Sequence, residues 1–163
     1  GVAHALAEHK LNRVAIIDFD VHHGDGTEDI FRDDPRVMLC STFQHPFYPG
    51  TGAESRSARM VNVPLSAGAD GKAIRQAFQD DFYPALQQFK PEMIFVSAGF
   101  DAHRDDPLAQ LKLTKEDYAW MTTFIMQIAG EHAQDRVVSS LEGGYHLPAL
   151  AESAAAHIET LMA

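Results

Sequence analysis

Asp18-Phe19-Asp20-Val21-His22-His23-Gly24-Asp25-Gly26 follows directly on the apolar run Val14-Ala15-Ile16-Ile17. An uninterrupted apolar run of this kind reads as a buried strand, and the polar nonapeptide as the loop leaving its carboxyl end. Carboxylates and imidazoles gathered at such a point are costly to desolvate, and a bound cation is the usual reason to gather them. Carboxylate oxygen with imidazole nitrogen suits zinc, and an extended segment entering a loop presents alternate side chains at one place. The plainer alternative for this stretch alone is a solvated acidic loop.

Outward from it, strand-length apolar runs recur at Arg13–Ile17, Arg36–Ser41, Met60–Val63, Met93–Ala98 and Arg136–Ser140. Their near-continuous hydrophobic character predicts strands covered on both faces, as in a parallel sheet. Amphipathic stretches predict helices at Val2–His9, Gly26–Phe31, Lys72–Phe89, Thr114–Ala129 and Pro148–Met162. In the third helix Ile74, Ala77, Phe78, Phe82, Ala85 and Phe89 recur at helical spacing and should face the sheet, with a kink or break at Pro84. Thr114 with Asp117 reads as an N-cap and first-turn acid, and Gly130 as a stop. Met121, Phe124, Ile125 and Ile128 read as core. The alternation predicts an open α/β fold with a mainly parallel sheet flanked by helices, in which ligands gather at the carboxyl ends of strands.

The chain has 163 residues, enough for one ordinary domain or part of a larger one. No run approaches the roughly 18 apolar residues of a membrane span, and the first residues show no secretory pattern. The net charge of −10 argues against direct nucleic-acid binding, which needs a basic footprint. A single cysteine, Cys40, excludes an internal disulfide framework and fits a reducing compartment, taken to be the cytoplasm. Its apolar neighbours make it a strand residue, not a reactive thiol.

Two further strand ends carry chemistry. Phe95-Val-Ser-Ala-Gly-Phe-Asp101-Ala-His103-Arg-Asp105-Asp106 places a second acidic cluster after an apolar run. Val137-Val-Ser-Ser-Leu-Glu142-Gly143-Gly144-Tyr145 ends in paired glycines, which permit close backbone approach, beside a tyrosine. Each loop alone is weak; three at equivalent strand ends predict one shared site.

These segments, in order and spacing, resemble the histone deacetylase family of zinc amidohydrolases, whose fold is arginase-like. The Leu-Glu-Gly-Gly-Tyr form is similar to its class II and bacterial branches. The resemblance implies Asp20, His22 and Asp101 as zinc ligands, leaving positions for water and an amide carbonyl. Tyr145 matches the donor to the developing oxyanion, Asp25 the acid that orients a catalytic histidine, and His23 a structural neighbour. Asp18 and Ser41 match a monovalent-cation site, expected to hold potassium, shared by Asp20 and completed by the carbonyls of His22 and Thr42. Tyr48, in Gln44-His-Pro-Phe-Tyr-Pro-Gly-Thr-Gly, matches the aromatic wall of the acyl-lysine channel, against the alternative that it merely packs its loop. Gly144 is placed with it among the substrate contacts. Leu108 stands where polyamine-specific members carry a glutamate, which favours an acetylated lysine peptide or protein as substrate.

The family's paired catalytic histidines and a Gly-Phe channel wall have no match here, and His4 and His9 lack the required context. Residues 1–163 are therefore expected to be the C-terminal part of a single deacetylase domain, with an incomplete sheet and little activity alone. The exposed sheet edge would favour association, as a homo-oligomer or as aggregate. Three rivals stay open: an acetylpolyamine amidohydrolase, a binuclear manganese ureohydrolase drawing on His103 and Asp105, and a non-catalytic scaffold fragment.

Overall fold

The computed structural model describes residues 1–163. All five expected strands form: β1 (Val14–Asp18), β2 (Val37–Gln44), β3 (Met60–Leu65), β4 (Met93–Ala98) and β5 (Val137–Leu141). They make one parallel sheet in the order β3-β2-β1-β4-β5. The chain thus winds outward from β1 in one direction through β2 and β3, then crosses back to add β4 and β5 on the other side. Loops leaving β1 and β4 diverge at this reversal and open a crevice at their carboxyl ends.

The helices are α1 (Val2–Ala7), α2 (Asp25–Phe31), α3 (Gly71–Ala77), α4 (Tyr83–Phe89), α5 (Lys115–Ile128) and α6 (Leu147–Leu161). Strand alternation divides the core in two. Ala15, Ile17, Met38, Cys40, Val61, Ile94 and Val96 pack against Ile74, Phe78, Phe82, Leu86, Tyr118, Met121 and Ile125 on one face. Val14, Ile16, Val37, Leu39 and Met60 meet Val2, Ala5 and Leu6 of α1 on the other. Each large apolar side chain buried in this way contributes roughly 1.5–3 kcal/mol. This is why β1 and β2, both wholly buried, read as unbroken hydrophobic runs.

Three local expectations come out differently. The strand β5, at one edge of the sheet, is not covered on both faces: most of it is exposed, Val138 and Leu141 included. The expected break near Pro84 is taken up by one π-helical turn, Phe78–Phe82, so Pro84 falls in the first turn of α4, where no amide bond is lost. Gly130 does not stop α5; the helix runs through a second π-turn, Ala129–Ala133, and ends at Gln134 in the left-handed conformation. At its start, by contrast, Thr114 and Asp117 form the expected capping box, Asp117 accepting from the Thr114 amide at 2.9 Å.

Candidate metal centre

The segment leaving β1 bends at Asp20–His22, yet its side chains still alternate. Phe19 and Val21 enter the core, while Asp18, Asp20 and His22 face the crevice. After β4 the chain turns, and Phe100 and Ala102 are buried as hydrophobic anchors on either side of Asp101. The reversal in strand order then brings the two loops together. His22 Nδ1 lies 3.0 Å from Asp20 Oδ1 and 3.3 Å from Asp101 Oδ2. One ligand atom from each of the three residues falls within 4.8 Å of the others.

The remaining oxygens are tied down from behind. Asp101 Oδ1 accepts the Val21 amide at 2.9 Å, and Asp20 Oδ2 accepts the Gly143 amide at 2.8 Å. Gly143 and Gly99 are required by closeness: a Cβ on either would intrude on the Asp20 carboxylate, and one on Gly143 on Asp101 Oδ2 as well. Asp101 Oδ2, by contrast, is buried with no hydrogen-bond partner. Burial first, then the neighbouring Asp20 charge, pushes the Asp101 carboxyl up to about 7. An orphaned buried oxygen, a second carboxylate and an imidazole nitrogen converging from fixed backbones fit a divalent cation, and the O,N,O donor set fits zinc.

Asp18 is buried beside this group, and burial followed by the Asp20 charge raises its carboxyl well above the usual range. Ser41 pairs with it in strand register, and the Ser41 hydroxyl is buried without a partner. Those oxygens suit a hard cation behind the divalent site.

Tyr145 borders the same crevice, a cleft of about 590 Å³ that also contains Tyr48 and Glu142. Its ring is 52% exposed; partial burial, then the charges of Asp101 and Asp20, raise its pKa. The phenol therefore stays protonated at neutral pH and is available as a donor. Gly144 precedes it at φ +143, a conformation that favours glycine, with Leu150 and Phe100 close behind. The His22 ring stacks on Phe47 at 5.2 Å and meets Tyr48 edge-on at 6.1 Å. Tyr48 and Leu108 are 76% and 51% exposed, at the surface and not in the core.

Asp25 stands apart from the trio. It opens α2, bonds the Gly26 amide at 2.8 Å, and lines a separate polar cleft of about 780 Å³ with Glu28, His45 and Gly52. No ring of this chain is oriented by it.

Sequence reading overlooked the support behind His23. Its Nε2 lies 2.7 Å from Glu28 Oε2, and that carboxylate also accepts from Asn62 Nδ2 at 2.8 Å. The same Asn62 amide reaches the carbonyls of Gly52 and Ser55. A buried network thus pins the loop carrying Phe47 and Tyr48 to α2 and β3. The available signal was Asn62 itself, a polar amide in the middle of the apolar run Met60–Leu65, where asparagine is disfavoured.

Comparison with known proteins agrees with this geometry. A model of the histone deacetylase domain matches residues 1–161. An uncharacterized protein of Synechocystis sp., slr0245, is 47% identical over 97% of this chain and 50% of its own length. The chloroplastic histone deacetylase 14 of Arabidopsis thaliana is 43% identical over 98% of this chain and 39% of its own. The solved HDA15 HD domain superposes with a TM-score of 0.84 at 35% identity, covering 99% of this chain and 48% of that one. The chain thus spans half or less of the length of the relatives it matches. No helix is long and apolar enough to cross a membrane. A parallel sheet with this strand order, a trio of residues able to hold a metal at its point of reversal and a match along nearly all of its length together place the chain in the histone deacetylase family.

Proposed function

We propose that the domain to which these residues belong removes acetyl groups from N-acetyl-lysine, or hydrolyses a related acyl amide, with one zinc ion held by Asp20, His22 and Asp101. The observation that carries this reading is the buried, partnerless Asp101 Oδ2, 3.3 Å from the Nδ1 of His22, which together with Asp20 lines the cleft that Tyr145 borders. Zinc bound there would polarise the amide carbonyl and lower the pKa of a coordinated water. The chain's own residues do the rest of what it can supply. Tyr145 donates to the oxygen on which charge develops, an interaction worth about 3 kcal/mol in the transition state. Gly143 and Val21 amides hold the two carboxylates so that no reorganisation is needed during reaction. Tyr48 and Phe47 wall the approach, and Leu108 offers an apolar rim to the alkyl stem of an acylated lysine.

Potassium behind the zinc is the reading that the orphaned Ser41 hydroxyl and buried Asp18 support. Asp25 is assigned to a histidine outside residues 1–163; without such a base, water activation loses a factor of about 10²–10⁴, so these residues alone would turn over little. A cytoplasmic setting rests on the lone buried Cys40 alone.

The test is metal analysis of the full-length protein together with hydrolysis of acetyl-lysine peptides, acetylated diamines and guanidino compounds. One zinc per domain and preference for the peptide are expected. Preference for the diamine would move the assignment to a polyamine amidohydrolase. Two manganese ions and guanidino hydrolysis would replace it with a ureohydrolase, and partner binding that is indifferent to zinc removal, with no hydrolysis, would favour a scaffold.

A further inference from the structure

Asp106 takes no part in the ligand trio, yet it is buried and both of its oxygens are engaged. Oδ1 accepts the amide of Leu108 at 3.0 Å. Oδ2 accepts the amide of Tyr145 at 2.8 Å, across 39 residues of sequence. Its own amide closes a turn onto the His103 carbonyl at 2.9 Å, which fixes the carboxylate relative to Asp101. The other hydrogen bonds that tie the segment leaving β5 to the end of β4, Glu142 amide to Ala98 carbonyl at 3.0 Å and Phe100 amide to Gly143 carbonyl at 2.8 Å, lie on the metal side of Gly144. Beyond them, Gly144 sits at φ +143, so the direction in which the chain leaves toward Tyr145 is not held by ordinary backbone preference.

We propose that Asp106 is a positioning residue, a carboxylate clamp that fixes the oxyanion donor Tyr145 and the rim residue Leu108 at one set distance from the metal ligands. This rests on the deacetylase reading above. Hydrogen bonds from neutral amides to an ionised carboxylate are about twice as strong as those between neutral groups, which suits a single side chain to holding two loops together. Releasing it would leave the donor present but poorly aimed.

The full-length protein tests this with Asp106→Ala and Asp106→Asn, each alone and combined with Tyr145→Phe. Asp106→Ala is expected to lower kcat about 10–100-fold with KM and zinc content unchanged, the range typical of lost support behind a functional group. Asp106→Asn keeps one acceptor oxygen and should fall between Ala and the parent. In the Tyr145→Phe background the same substitutions should cost less than about twofold, because the residue acts through the hydroxyl already removed. Amide hydrogen exchange supplies a readout independent of turnover: the Leu108 and Tyr145 amides should lose protection together, while β1 and β2 keep theirs. Losses that multiply in the double variant, loss of zinc, or unchanged exchange at those two amides would overturn the clamp. If the parent protein hydrolyses no acyl amide, the deacetylase reading falls by itself, and exchange alone then decides whether Asp106 holds the two loops.

Discussion

A single methyl group added at Gly143 would enter space that two of the three ligands occupy. Its carbon would stand 2.7 Å from Asp20 Oδ2 and nearer still to Asp101 Oδ2, whereas ordinary contact begins at 3.4 Å. Asp20 Oδ2 would have to retreat by about 0.7 Å and the nearer Asp101 Oδ2, the unpartnered oxygen that faces the site, by more, several times the ~0.2 Å tolerance of a metal–ligand bond. The retreat also strains the 2.8 Å bond from the Gly143 amide that aims the Asp20 carboxylate. Removing one supporting hydrogen bond from a metal ligand typically costs 10–100-fold in affinity, so displacing two ligands should cost at least about 100-fold, or roughly 2.7 kcal/mol. Competition against a chromogenic zinc chelator measures this directly, with circular dichroism to show that the fold survives. Gly26→Ala is the control, since a Cβ there meets nothing within 4 Å. A Gly143→Ala chain that kept its fold and bound zinc within about threefold of the parent would refute the convergence of the Asp20 and Asp101 carboxylates.

Other consequences are equally open to measurement. His157 is buried between the Thr122 and Ser139 hydroxyls at 2.6 and 2.8 Å, and burial lowers its pKa below the ordinary 6.5. The folded chain thus binds this proton less readily than the unfolded one, and stability present above pH 6.5 is lost as pH falls below it; Tm measured from about pH 7 to 5 should slope less in His157→Gln. Asn62→Leu strips a donor from buried Glu28 and from the Gly52 and Ser55 carbonyls. It should cost about 1–3 kcal/mol by thermal unfolding and raise hydrogen exchange in the loop from His45 to Ser55, and unchanged exchange there would remove the network's assigned role. Cys40 is wholly buried and its thiol pKa is pushed far up by that burial, so an aromatic disulfide reagent should find no thiol in the native chain and its single thiol after denaturation. Rapid native labelling would contradict its placement in β2.

The sequence made the strands legible where both faces are covered, since β1 and β2 have no solvent side to interrupt their apolar runs. It misled at β5 for the opposite reason: Val137-Val138 look like buried residues, but coverage depends on neighbours that no local pattern encodes. The convergence of Asp20, His22 and Asp101 was legible because alternation along Asp18–His22 is a local property, and because Asp101 lies between the core anchors Phe100 and Ala102. Asp106 and Glu28 were not, because each acts on partners that only the folded register brings near. Asp106 reads as one more surface acid until Tyr145 is seen beside it.

The reversal of strand order at β1 and β4 has a kinetic corollary. The bonds that hold the Asp101 and Asp20 carboxylates join residues 80 and 123 positions apart, so the first waits for the long crossover that pairs β4 with β1 and the second also for β5 to dock on β4. Non-local parallel pairing of this kind is slow relative to helix formation. During refolding, uptake of zinc should lag behind the recovery of helical signal, so an ion-sensitive dye would time the closing step of assembly.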